Sequence, residues 1–403
     1  LQRRMGSGIL LRAVQEPVYM AQSPPIATGL PDRIVALEYT FYQWGFTAWA
    51  FYGLFAMVIG HAVFVRGRKV LVSSALPRRR ANSRTLLALD LIAVMTTMAG
   101  LVASIGLGAE QISGGLQHLT GIAPGIGPAL AVCLLIALLA WISVWLGVDR
   151  GIKVLSKMNI AMTLVLLATV FVFSDMGAVL GHFGHAFWRY LIDFLPMSLA
   201  LGRYDPGVEF LTDWTYYYWA FWLAWAPFTG IFIARISRGR TLRQLLLGTL
   251  IIPSLGTFFW FATFGSSAFD MIDGWGGYAG QFDTLFTSIF VFLQEFPLGT
   301  VLNGVTLLLL VGFLVTSVDS AVFVLSMFTD GGRTAPGRGH RLIWSVFTFL
   351  TAASLVVLSY ARPGIDVLYA AQKLLIITSL PFAFFMVAMA LRFVYGLVRD
   401  SAQ

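Results

Sequence analysis

Ten stretches of predominantly apolar residues leave this chain few folds to adopt. Each is close to the roughly 20 residues that carry a helix across the hydrocarbon core of a bilayer. They run over 5–22, 42–65, 86–107, 127–147, 157–175, 214–234, 243–265, 299–328, 342–360 and 368–396. Two further apolar stretches, near 179–195 and 280–295, are shorter or interrupted and are expected to lie along the surface as helices. Only 11% of the 403 residues are charged, against about 25% in soluble domains. Most of the chain therefore cannot face water, and the expected fold class is an all-α polytopic membrane protein.

A net charge of +8 would suit nucleic acid if the basic residues shared one surface. They alternate between loops instead. Arg66, Arg68, Lys69, Arg78, Arg79, Arg80 and Arg84 separate the second and third spans with no acid among them. Arg150, Lys153 and Lys157, then Arg235, Arg238, Arg240 and Arg243, then Arg333, Arg338 and Arg341 fall on the same side. The opposite loops hold Asp32 and Glu38, then Asp205, Glu209 and Asp213, then Asp270, Asp273 and Asp283. Basic loops stay in the cytoplasm. The pattern predicts a multi-pass protein of a bacterial inner (plasma) membrane, its C-terminus cytoplasmic, with no nucleic-acid partner. The single cysteine, Cys133, excludes a disulfide framework and a cysteine-based metal site. No signal peptide is visible, and the start at Leu1, in the middle of apolar sequence, reads as a truncation. No phosphate-binding loop, HExxH or GxSxG motif is present, so the expectation is a protein that is not an enzyme and needs no cofactor.

Ten spans divide into five and five, and an odd number per half turns the second half over relative to the first. The expected organisation is a five-plus-five inverted repeat, with residues 1–175 as the first repeat and 176–403 as the second. Each half also opens on an interruption, at Met5–Gly8 and at Pro227 and Gly230 of the sixth span. Paired broken helices in two halves point to a solute site at mid-membrane. Broken backbone at that depth is tolerated where it lines a cavity.

Several constellations could carry chemistry there. Trp219, Trp222 and Trp225 are three residues apart on one helix, with Phe221 beside them. An aromatic wall binds an onium group by cation–π attraction, while an interfacial belt is the alternative reading. Trp44, Trp49 and Tyr52 open the second span and carry the same two readings. Thr316 and Ser317 lie mid-span in the eighth helix, where their hydroxyls either bind a hard cation such as sodium or bond back to their own helix. Asp319 follows as a functional group or a hydrogen-bond anchor. Glu16 and Lys373 read as structural or near an interface. His182 and His185 have no metal-ligand partner in view.

The run from Asp213 to Thr241 resembles the signature of the betaine/choline/carnitine transporter family. Glu16–Pro17, Gly67–Lys69, Gly106–Ile112, Gly151–Lys153 and Thr316–Ser320 agree with it. The resemblance covers nearly the whole chain and implies the family's ten-helix transport core, a LeuT-like fold, without its first two helices. It also implies a homotrimer. By the same resemblance the substrate cage comprises Trp44, Trp49, Tyr52, Phe221, Trp222 and Trp225, with Phe221 where Trp is usual. The sodium site comprises Met5, Phe313, Thr316 and Ser317. A candidate second cation site keeps Thr97 and Phe228 but has Leu101 in place of a second threonine. Arg4 departs from the family's glycine stretch, with Arg3 and Arg12 in the same helix, and joins Asp319 and Glu16 as a gating or structural candidate. A guanidinium near the cavity could bind a substrate carboxylate or upset the sodium site.

The resulting expectation is a sodium-coupled symporter of a betaine-type zwitterion such as glycine betaine, dimethylsulfoniopropionate, carnitine or ectoine. Two alternatives stay open. One is a sodium-independent exchanger or proton-coupled carrier of the same solutes. The other is a non-transporting sensor or truncated fragment.

Overall fold

The computed structural model describes residues 6–76, 83–146, 151–362 and 367–401. Over the first part of the chain its helices are α1 (Gly6–Arg12), α2 (Gln15–Gln22), α3 (Asp32–Trp44), α4 (Phe46–Gly60), α5 (Ser83–Thr120), α6 (Ile126–Leu146) and α7 (Gly151–Phe173). The rest comprises α8 (Met176–Ser198), α9 (Gly207–Phe210), α10 (Tyr217–Ile236), α11 (Leu242–Gly274), α12 (Ser288–Gln294), α13 (Gly299–Thr329), α14 (Arg338–Ala361) and α15 (Val367–Ser401). No strand occurs among the described residues. Among the described residues eight helical segments are long and apolar enough to cross a membrane, and Ile126–Ile142 is a shorter apolar helix. The first expected span is the broken pair α1–α2.

Local sequence chemistry sets the helix ends. Thr241 and Gln244 form a reciprocal cap at the start of α11, each side chain accepting the other's backbone N–H at 3.1 Å. Such a cap satisfies two donors that a helix start leaves over. Asp175 accepts from the Ala178 N–H at 3.0 Å and starts α8 in the same way.

Burial sorts the helices into centre and rim. The most apolar stretch of α13, and of the segment ending in α10, is 72% buried, whereas those of α7 and α14 are 22% buried. The rim helices turn residues such as Leu164, Val165, Ile343 and Phe347 outward, as lipid-facing helices do. α10 packs on α4 and α5, and α13 on α5; α5, α10 and α13 supply most of the wall of the site described below.

Three features differ from the sequence reading. The interruption in the first span lies at Ala13–Val14, between α1 and α2, and Gly6–Gly8 are already helical. Met5, Arg4 and Arg3 lie outside the described residues. The sixth span is not interrupted, because α10 runs through Pro227 and Gly230 to Ile236. Gly230 serves packing there: a Cβ on it would stand 2.6 Å from Phe55 Cδ1 and 3.0 Å from the Ala56 nitrogen of α4. The stretch near 280–295 is helical only over Ser288–Gln294, and Ile289, Phe290, Phe292 and Leu293 of that helix are fully buried.

The second span also has a corner. Gly45 separates α3 from α4, and a Cβ there would meet Phe258 at 2.3 Å. α3 is buried from Ile34 to Trp44 despite carrying Glu38, Thr40 and Gln43.

The close approach of α4 and α10 yields a test. Gly230→Ala is expected to lower stability by about 1–3 kcal/mol through overpacking, read as a lower Tm in detergent. An unchanged Tm would mean that α4 can move aside freely.

Candidate functional site

The end of α1, the end of α3 and one face of α10 converge on a cavity of about 50 Å³, room for a few water molecules. α5 contributes Leu101 and Ser104 to its wall, and α13 contributes Leu314 and Ser317. The aromatic part of the wall is Trp44, Tyr217, Tyr218, Phe221, Trp222 and Trp225.

The rings form one connected set around Trp222. Its centroid lies 5.2 Å from Trp44, 5.7 Å from Tyr218, 5.2 Å from Phe221 and 6.2 Å from Tyr52. Phe221 and Trp225 are 6.3 Å apart. Trp222 is 1% exposed, and its Nε1–H donates to the Gln43 carbonyl at 2.9 Å. Trp225 is also buried, and its Nε1–H has no hydrogen-bond partner among the described residues. It is a donor left over in the cavity wall.

Of the six expected cage residues, Trp44, Phe221, Trp222 and Trp225 line the cavity. Trp49 and Tyr52 pack behind, Tyr52 against Trp222 and Trp49 against Tyr52 at 5.6 Å. Trp219 faces elsewhere and meets Phe51 at 6.2 Å. The physical reason is helical drift. At about 100° per residue, a three-residue step falls about 60° short of a full turn, so Trp219 and Trp225 diverge. The wall uses four-residue steps instead, Tyr218 to Trp222 and Tyr217 to Phe221 to Trp225. That spacing was the available signal for Tyr217 and Tyr218, which the sequence reading passed over.

Glu16 ties the wall together. It is fully buried, immediately after the α1–α2 break. Trp44 Nε1–H donates to its carboxylate at 3.1 and 3.2 Å, and the Tyr218 hydroxyl donates to Oε2. One side chain therefore links α2, α3 and α10. Arg12 stands four residues earlier, at the end of α1, and lines the same cavity.

The expected cation ligands are distributed differently. Thr316 Oγ1 donates to the Gly312 and Phe313 carbonyls at 2.9 and 3.1 Å. Ser317 reaches the aromatic cavity, whereas Phe313 lines a neighbouring hollow with Ile9 and Leu10 of α1. Thr97 is buried, and its hydroxyl has no partner among the described residues. Phe228 is buried against Trp225 at 5.3 Å. Asp319 points away from the cavity toward α14, its Oδ1 3.7 Å from Arg341 Nη2. His182 meets Ser266 at 3.0 Å, and no group of three or more His, Cys, Asp or Glu able to hold a metal occurs among the described residues.

The family model described as "BCCT, betaine/carnitine/choline family transporter" matches residues 2–402. The chain belongs to that family. It is 35% identical to the glycine betaine transporter OpuD of Bacillus subtilis over 386 residues, 94% of this chain and 74% of that protein. The betaine/ectoine transporter LcoP of Corynebacterium glutamicum is 32% identical over 99% of this chain and 64% of its own length. The high-affinity choline transport protein of Escherichia coli K12 is 34% identical over 94% of this chain and 57% of its own length. These relatives are transporters, not enzymes. The apolar helices described above accordingly belong to a multi-pass membrane transport protein.

The Glu16 contacts generate a prediction. Glu16→Ala leaves the buried Trp44 N–H and Tyr218 hydroxyl without an acceptor, at about 1–3 kcal/mol for each orphaned group. Tryptophan emission of the purified variant should shift and its Tm should fall. Glu16→Gln, which keeps one acceptor oxygen, should lose less than Glu16→Ala. Equal loss in the two variants would deny the carboxylate this tethering role.

Proposed function

We propose that this protein is a secondary active transporter of a betaine-type zwitterion, driven by sodium. The observation that carries the reading is the aromatic wall of Trp44, Trp222 and Trp225 around a buried cavity. A quaternary ammonium has no N–H to donate, so hydrogen-bond acceptors cannot select it. Aromatic faces can, at about 0.5–2 kcal/mol per ring, and they require no counter-ion. Phe221 offers a weaker face than indole. The names of the relatives give glycine betaine, ectoine and choline, the family description adds carnitine, and dimethylsulfoniopropionate is proposed as an onium zwitterion of the same class.

The cavity holds room for a few water molecules as it stands. In this reading solute entry spreads the rings, and alternating access follows from rocking of the two proposed repeats, 1–175 and 176–403. Sodium would be held by the oxygens of Phe313, Thr316 and Ser317 on α13, with the Met5 carbonyl completing the set. Oxygen donors suit a hard cation, and the bound ion would supply the coupling free energy. A second cation near Thr97 and Phe228 would lack the second hydroxyl, because Leu101 occupies that place. The proposed setting is a homotrimer in a bacterial inner membrane with the C-terminus in the cytoplasm.

Two measurements test this. Trp222→Ala should abolish solute uptake into proteoliposomes at normal protein abundance, and unchanged uptake would sink the cage. Replacing external sodium by potassium should reduce wild-type uptake at least tenfold. Uptake or counterflow indifferent to that replacement would identify a sodium-independent exchanger or proton-coupled carrier.

A further inference from the structure

Arg12 is a cation in the wall of a cavity otherwise suited to cations. It ends α1 at the Ala13–Val14 break and lines the cavity with Trp44, Tyr218 and Trp222. Its guanidinium lies over the Trp214 ring, 5.2 Å from the centroid. One of its N–H groups, on Nη1, donates to Gln15 Oε1 at 2.9 Å. A guanidinium carries five donors in a planar fork, so most of its donor capacity is left for something else. Glu16 does not take it up by a direct bond: its carboxylate accepts from Trp44 and Tyr218, and Arg12 interacts with it only through space. Among the described residues Arg12 forms no ion pair within 4.0 Å.

We infer that Arg12 binds the carboxylate of the transported zwitterion while the indoles hold its onium head. This rests on the cage reading above and adds the other half of the ligand. A guanidinium pairs with a carboxylate through two parallel N–H···O bonds, and a lysine cannot reproduce that fork. The stack on Trp214 and the bond to Gln15 hold the fork in place before the ligand arrives. The same charge excludes an onium that lacks a carboxylate. Choline would bring a second positive charge beside Arg12 and no carboxylate to pair with it, and juxtaposed like charges act against the wrong ligand. Arg12 is thus a specificity residue that turns an aromatic cage for onium groups into a site for zwitterions.

The test uses the purified full chain and tryptophan-fluorescence titration with glycine betaine, choline and tetramethylammonium. Wild type should bind glycine betaine at least tenfold more tightly than either cation. Arg12→Gln should weaken glycine betaine by about 10- to 100-fold, the range of a lost charge-assisted bond, while the two cations bind as well as before or better. Arg12→Lys should fall between, and it keeps the test valid if the Gln variant folds poorly. Wild-type selectivity retained in Arg12→Gln would overturn the inference and leave the cage standing. An equal loss for all three ligands would also overturn it, showing that Arg12 acts on the fold alone. No quenching of the wild type by any of the three would remove the cage reading and this inference together.

Discussion

A buried carboxylate among apolar helices has to find donors, and most of the candidate site follows from where Glu16 finds them. An ionisable group at membrane depth is costly and is found paired or facing a cavity. Glu16 is fully buried and accepts from Trp44 Nε1–H and the Tyr218 hydroxyl. These donors sit at the end of α3 and on the cavity face of α10, so satisfying one group sets three helices relative to one another. Trp44 can reach it because Gly45 lets α3 end against Phe258 without a Cβ in the way. Tyr218 then stacks on Trp222, and Trp222 bonds back to the Gln43 carbonyl of α3. The loop of contacts closes on itself, which gives a wall of large rings a defined shape.

The break before Glu16 belongs to the same design. A helix that stops at Arg12 and restarts at Gln15 loses part of its hydrogen-bond ladder. Within a bilayer such a gap persists only where protein or a cavity receives it. The gap puts Arg12 and Glu16, four residues apart, on a wall shared with Trp44 and Tyr218. The central helices α10 and α13 supply much of that wall, and the peripheral helices α7 and α14 pack on α13.

The legible part of this arrangement was the part written in hydropathy. Runs of about 20 apolar residues marked the long helices because lipid imposes that length. The helix α3 was illegible for the complementary reason. It is buried by protein rather than lipid, so it tolerates Glu38, Thr40 and Gln43 and shows no apolar run. Pro227 and Gly230 looked like a break because those residues usually interrupt helices. In α10 the glycine answers a different demand, the side chain of Phe55 pressing on its Cα. The aromatic wall was half legible: composition pointed to Trp222 and Trp225, but the three-residue spacing drew in Trp219, which the helical twist carries to another face. Nothing local in the sequence linked Glu16 to Trp44 and Tyr218, since those contacts span 28 and 202 positions.

Thr316 shows how two opposed readings of one residue can be a single physical statement. Its hydroxyl donates to the Gly312 and Phe313 carbonyls of its own helix, which is the ordinary fate of a threonine in a buried helix. A hydroxyl has one proton to give and two lone pairs to offer. Giving the proton inward turns the lone pairs away from the helix axis, toward whatever faces α13. A threonine that cannot rotate its proton outward is a better ligand for a hard cation, because no O–H points at the ion and no rotamer has to be reset when it arrives. Back-bonding therefore leaves the Thr316 oxygen's lone pairs for the proposed sodium role, while it engages the Phe313 carbonyl that the same proposal uses.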